Sequence, residues 1–202
     1  EAEDGEAVFR LLHGGEKGAS VQPIALITIS GVDWNRDLSP WPAPEAFHGG
    51  RDFGGCADAY LPVLTGGILP EAEQAMGITP ATRILAGYSM AGLFALYALY
   101  KTDAFNRFAS ISGSLWYDGF LAYMREHATL RQPERVVLSL GDREARTKNE
   151  RLATVETCTR EAVAILRAAG TPVALTMQPG GHFANVQARM ADGVYAAVGK
   201  IR

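Results

Sequence analysis

Cysteine is scarce in this chain of 202 residues: Cys56 and Cys158 are its only two, and neither belongs to a Cys-x-x-Cys or Cys/His metal spacing. A disulfide framework and a zinc site of ordinary ligand spacing are therefore excluded, and reduced thiols are expected. A basic run is also lacking, and a formal net charge of -3 offers nothing to a polyanion. Nucleic acid is not an expected partner. Apolar stretches such as Pro23 to Ile29 and Leu93 to Tyr100 fall far short of the ~20 residues needed to cross a bilayer, so no membrane partner is expected. The N-terminus has no signal-peptide core, which favours a cytoplasmic protein. The start at Glu1 without an initiator methionine nevertheless leaves room for a removed secretion signal. No repeat or low-complexity segment occurs. With 48% hydrophobic and 20% charged residues, the chain reads as one globular domain over 1–202.

What is present is an alternation of short apolar runs with longer segments of helical period. Val8 to Leu12, Ile24 to Ser30, Arg83 to Ala86, Phe108 to Ser112, Val136 to Leu140 and Val173 to Gln178 read as strands. Their near-continuous hydrophobicity suits parallel strands covered on both faces. Helices are expected over Ala57 to Met76, Ala91 to Lys101, Gly119 to His127, Glu150 to Ala169 and Ala184 to Ile201. The expected fold class is α/β: a mostly parallel, doubly wound sheet with helices on both faces, a three-layer sandwich with functional groups at the carboxyl ends of strands. The link from Leu12 to Ile24 is barely long enough for a crossover, so either the first helix is abbreviated or the first strand is misassigned. A long connection from Gly31 to Cys56 carries Trp34, Trp41 and three prolines. It reads equally well as a wall of a binding site or as a self-packed Ω-loop.

Chemistry concentrates at Gly87-Tyr88-Ser89-Met90-Ala91-Gly92, which falls between a strand and a buried helix. A serine in a Gly-rich turn can serve simply as a helix N-cap. Flanked by strand and helix, however, it matches the nucleophile elbow of the α/β-hydrolase fold, where small residues two places either side of the nucleophile relieve crowding. Gly87 and Ala91 fill those places. The Met90 N–H at the helix start is a natural oxyanion donor. A serine hydroxyl needs a histidine base oriented by a carboxylate. His182, in Pro179-Gly180-Gly181-His182-Phe183, follows the last strand, whereas His13, His48 and His127 stand out of order. Glu144, three residues past the strand-ending Gly141, is the chosen acid, and Asp142 is the runner-up. The order Ser89, Glu144, His182 is that of the α/β-hydrolase fold. Gly14 or Gly15 is the candidate second oxyanion donor, with Gly31-Val32 as the alternative. The segment Ser112-Gly113-Ser114-Leu115-Trp116-Tyr117, with Trp34, Asn35 and Asp37 of the long connection, is expected to shape the pocket, a packed core aromatic being nearly as good a reading of Trp116.

Trp34-Asn35-Arg36-Asp37-Leu38-Ser39-Pro40-Trp41, Phe53-Gly54-Gly55, Ala86 to Leu93, Ser112-Gly113-Ser114-Leu115-Trp116, Leu140 to Glu144 and Gly181-His182-Phe183 together make the chain resemble the putative esterase family of α/β hydrolases. Enterochelin esterases, S-formylglutathione hydrolases and mycolyltransferases are among its relatives. The resemblance covers most of the chain and departs from the family in the shorter segment after Leu12. It implies a metal-free, cofactor-free esterase that forms an acyl-enzyme on Ser89 with Glu144 and His182, acting on a small-molecule ester. Acyl transfer through the same acyl-enzyme and a non-catalytic ligand-binding role are the competing readings.

Overall fold

The computed structural model describes residues 2–14 and 24–199. In chain order the helices and strands are α1 (Ala2–His13), α2 (Trp34–Asp37), β1 (Pro42–Ala43), β2 (Phe53–Gly54), α3 (Ala57–Val63), a π-helical turn (Leu64–Ile68), α4 (Leu69–Met76), β3 (Ile84–Tyr88), α5 (Met90–Ala98), β4 (Arg107–Ile111), α6 (Phe120–Glu126), β5 (Arg135–Gly141), α7 (Glu150–Ala153), α8 (Val155–Ala168), β6 (Val173–Gln178) and α9 (Val186–Val198). Strands β3 to β6 form a parallel sheet in sequential order. Their register aligns Ser110 with Gly87 and Leu138, and Leu138 with Leu175.

Sequential parallel strands joined by right-handed crossovers place their connecting helices on one face. Alternation along the strands confirms this: Phe108, Val136 and Leu138 share a core with α5, α6 and α8. Tyr88, Ala109, Ile111 and Val137 face Ala197 of α9 instead. Val8 and Leu12 of α1 pack on Ala191 and Val194 of α9, which completes the third layer. The expected α/β class, with helices on both faces, is what the structure has.

Local sequence explains the helices. All of α5 except Ala91 is buried, in keeping with its unbroken apolar run. In α8 the buried residues Val155, Thr159, Ala162, Val163 and Leu166 recur at helical spacing, and Gly170 turns the chain away at φ 74°.

Two expected strands are not strands. Val8 to Leu12 lies within α1, where Val8 and Leu12, one turn apart, are buried, while Phe9 and Leu11 face outward. The five-residue run hid a helical period that only the longer segment reveals, including the Glu6–Arg10 pair one turn apart. Ile24 to Ser30 joins no ladder among the described residues and is partly exposed along its length. Leu26 alone within it packs on the core of α1 and α9. Apolar composition fitted a strand, but the coverage on both faces that a central strand needs is missing. Of the two ways out of the short Leu12-to-Ile24 link, the misassigned first strand is the correct one.

The connection from Gly31 to Cys56 is held down by Trp41. Its indole N–H donates to Asp118 O at 3.0 Å, and the Tyr117 hydroxyl donates to Trp41 O at 2.5 Å. The indole also meets Tyr97, Tyr117 and Tyr123 with ring centroids 5.5 to 6.3 Å apart.

Candidate active site

The turn after β3 carries Ser89 at φ 55°, ψ -118°, a conformation that a non-glycine residue adopts only when its surroundings impose it. Those surroundings are on both sides. The Ser89 N–H donates to Ile111 O at 3.0 Å, and Ser89 O accepts from the N–H groups of Gly92, Leu93 and Ser114. A Cβ on Gly87 would collide with the backbone of Ala91, so glycine is required two residues before the serine. The Met90 N–H lies in the first turn of α5, where helix geometry supplies no intrahelical acceptor.

His182, in the loop between β6 and α9, places Nε2 3.1 Å from Ser89 Oγ and Nδ1 2.7 Å from Glu144 Oε2. The turn that follows β5 delivers Glu144, its N–H returning to Gly141 O at 3.2 Å. Glu144 Oε1 accepts from the Gly141 N–H at 2.6 Å and from Ser112 Oγ at 2.7 Å, and lies 3.0 Å from Arg189 Nη1. Burial alone would raise this carboxyl. The bonds from His182, Ser112 and Gly141 more than offset burial and hold it below its ordinary value.

Asp142, the alternative acid, points elsewhere: its Oδ1 accepts the Gly180 N–H at 2.8 Å and so fixes the loop that carries His182. Gly14 is not an available oxyanion donor. Its N–H closes the end of α1 on Arg10 O at 2.8 Å. Asp4, at the other end of that helix, meets Gln187 in the first turn of α9, and Gly14 is about 15 Å further along at ~1.5 Å per residue. Gly15 lies outside the described residues. Gly31, at φ 75°, and Val32, packed on the main core, remain in place as the alternative.

The pocket candidates divide. Asn35 donates to Arg51 O and Asp37 accepts from Asp33 N and Arg36, so both serve the loop's own folding. Trp34 is 47% exposed. Trp116 lies under the Arg151 guanidinium at 4.9 Å and against Phe53. It lines a hollow of about 310 Å³ with Leu115, Tyr117, Gly119, Leu121 and Cys158, among others, none of them Ser89, Glu144 or His182.

Sequence reasoning passed over Arg189, and it took Ser112 and Ser114 only as part of a pocket-shaping segment, without a role beside Ser89 and Glu144. Ser114 Oγ is 3.3 Å from Ser89 Oγ, and Ser112 adopts φ 48° while bonding Glu144. Arg189 had a readable signal: a cation on the stripe of α9 that also carries Gly193 and Ala197, where an apolar residue is the rule. Among the described residues no group of side chains suits a metal ion, and no helix is long and apolar enough to cross a membrane.

The family model described as "Putative esterase" matches residues 6–190. The uncharacterized protein YbbA of Bacillus subtilis (strain 168) is 29% identical over 153 residues, which cover 72% of this chain and 61% of that protein. Among solved structures, the siderophore hydrolase EstB from Aspergillus nidulans aligns with a TM-score of 0.67 at 20% identity, over 82% of this chain and 63% of that one. The IroE-like serine hydrolase from Shewanella oneidensis aligns with a TM-score of 0.77 at 15% identity, over 97% and 66%. The chain thus spans under two thirds of each of these relatives. At such identities the structural likeness establishes the fold, that of the α/β hydrolases.

Proposed function

We propose that this chain, which belongs to the putative esterase family, is a serine hydrolase of small-molecule carboxylic esters working through Ser89, His182 and Glu144. The observation that carries this reading is the continuous chain of hydrogen-bond distances, 3.1 Å from Ser89 Oγ to His182 Nε2 and 2.7 Å from His182 Nδ1 to Glu144 Oε2, on a serine held at positive φ. Ser89 Oγ attacks the ester carbonyl as His182 Nε2 takes its proton, and Glu144 Oε2 accepts the Nδ1–H and stabilises the imidazolium that forms. The Met90 N–H, aided by the positive end of α5, receives the negative oxygen of the tetrahedral intermediate. His182 then protonates the leaving alcohol. A water activated by the same imidazole releases the acid from Ser89 and regenerates the hydroxyl.

A fluorophosphonate probe tests the nucleophile without knowledge of the natural ester. The parent chain should be labelled at Ser89 and a Ser89→Ala variant should not. Equal labelling of the two, or none of the parent, would falsify the assignment.

A further inference from the structure

Arg189 is 2% exposed and sits in the second turn of α9, with its guanidinium over the carboxyl ends of the strands. Nη1 lies 3.0 Å from Glu144 Oε1, 3.2 Å from Ser112 Oγ and 3.3 Å from Tyr88 Oη, and Nη2 donates to Pro179 O at 3.0 Å. Tyr88 precedes Ser89 and its hydroxyl donates to His182 O at 2.5 Å. One guanidinium therefore ties together the strand end that carries the nucleophile, the turn that carries the acid, and the loop that carries the base. Space has been kept for it: a Cβ on Gly141 would stand 2.5 Å from Nη2.

Stability does not account for a cation here. An apolar side chain of similar length would fill the gap, and exchanging a buried ion pair for apolar packing is often neutral or favourable. The arrangement around the carboxylate does account for it. Arg189, Ser112 and the Gly141 N–H all gather on Oε1, which leaves Oε2 to His182.

We propose that Arg189 is a positioning residue for the reaction at Ser89: it locks Glu144 in the orientation that aims Oε2 at His182. The proposal rests on the reading of Ser89, Glu144 and His182 as a triad.

The other titratable groups facing this pair are Tyr88 from β3, Asp142 and Arg143 from the turn after β5, and His182 from its loop. Asp142 is engaged by the Gly180 N–H and lies 3.8 Å from Arg143. On α9 itself, Asp192 meets Gln178.

The test is the rate of fluorophosphonate labelling of Ser89 as a function of pH. Arg189→Met should slow labelling about 100-fold at neutral pH through misplacement of the acid. It should also move the acidic limb of the profile up by about one pH unit. Loss of the cation 3.0 Å from Oε1 removes a charge that favours the ionised carboxyl, so Glu144 keeps its proton to higher pH. Arg189→Lys keeps the charge without the planar fork. It should slow labelling less and leave the limb in place. In a Glu144→Gln background, Arg189→Met should change the rate less than about twofold, because its target is gone.

Labelling of Arg189→Met at the parent's rate overturns the proposal. So does equal slowing in both backgrounds with the limb unmoved, which is what a merely architectural role predicts. If Arg189→Met does not fold by circular dichroism, Arg189→Lys decides: slowing that disappears in a Glu144→Gln background supports the proposal, and the parent's rate or equal slowing in both backgrounds overturns it. A parent chain that is not labelled at all overturns the triad reading, and this inference with it.

Discussion

Against α5, α6 and α8 the sheet presents Phe108, Val136 and Leu138, and a large core of leucines and aromatics closes over them. Against α9 it presents Tyr88, Ala109, Ile111 and Val137, a smaller cluster. Here the helix rides close: a Cβ on Gly193 would stand 2.5 Å from Ile111. That approach is what carries Arg189 over the strand ends and onto Glu144. The first face offers apolar area, the main source of cohesion. The second gives up area for a helix that delivers charge to one place. Damage to the first face should thus lower stability and leave the chemistry of each folded molecule intact. Damage at the strand ends of the second should do the reverse.

The largest expected effect is at the acid. Glu144→Gln should reduce hydrolysis of a short p-nitrophenyl ester by about 10³- to 10⁴-fold, while Asp142→Asn, which loosens only the Gly180 contact, should cost a few-fold. A larger loss in the Asp142 variant would transfer the role to Asp142 and break the assignment of the two carboxylates. Next in size is Leu96→Ala, at a fully buried position of α5. The cavity should cost about 2–5 kcal/mol in urea unfolding, with the labelling rate of Ser89 per folded molecule unchanged. A matching fall in that rate would show that the two faces do not divide the work.

Most of this fold was legible because helical and strand periods are local properties. The four strands from Arg83 onward lie within two residues of where their apolar spacing put them, while α5 stops at Ala98, short of Lys101, and the segment expected as one helix from Glu150 to Ala169 is two, α7 and α8. The misread strand, Val8 to Leu12, was judged on five residues, too few to tell a period of 3.6 from a continuous run; its decisive contact, with Ala191 and Val194, lies about 180 residues away. Ser89, Glu144 and His182 were reachable from turn chemistry and order along the chain, and the structure brings the three together. Arg189 was not found, and Ser112 and Ser114 were noticed only as part of a segment near the pocket, since the roles of all three lie in what folds against them. Gly14 misled for the same reason: its glycine pair resembles an oxyanion loop, but its N–H already serves α1.

The smallest effect expected is on the pH dependence of stability, and it separates the two faces without any assay of activity. Burial pushes the Glu144 carboxyl up, while bonds from His182, Ser112 and Gly141 pull it below the ordinary value of 4.5. The unfolded chain thus takes up this proton at higher pH than the folded chain does. Stability contributed by Glu144 is complete above the unfolded value and is lost as pH falls through the lower folded one. Urea midpoints measured from about pH 5 to 3 should therefore drop more steeply in the parent than in Glu144→Gln, which has no proton to take up. Leu96→Ala, by contrast, should lower every midpoint and keep the parent's slope, because the cavity it leaves binds no proton. Parallel slopes for the parent and Glu144→Gln would mean that the bonds at the strand ends do not hold the carboxyl below its ordinary value.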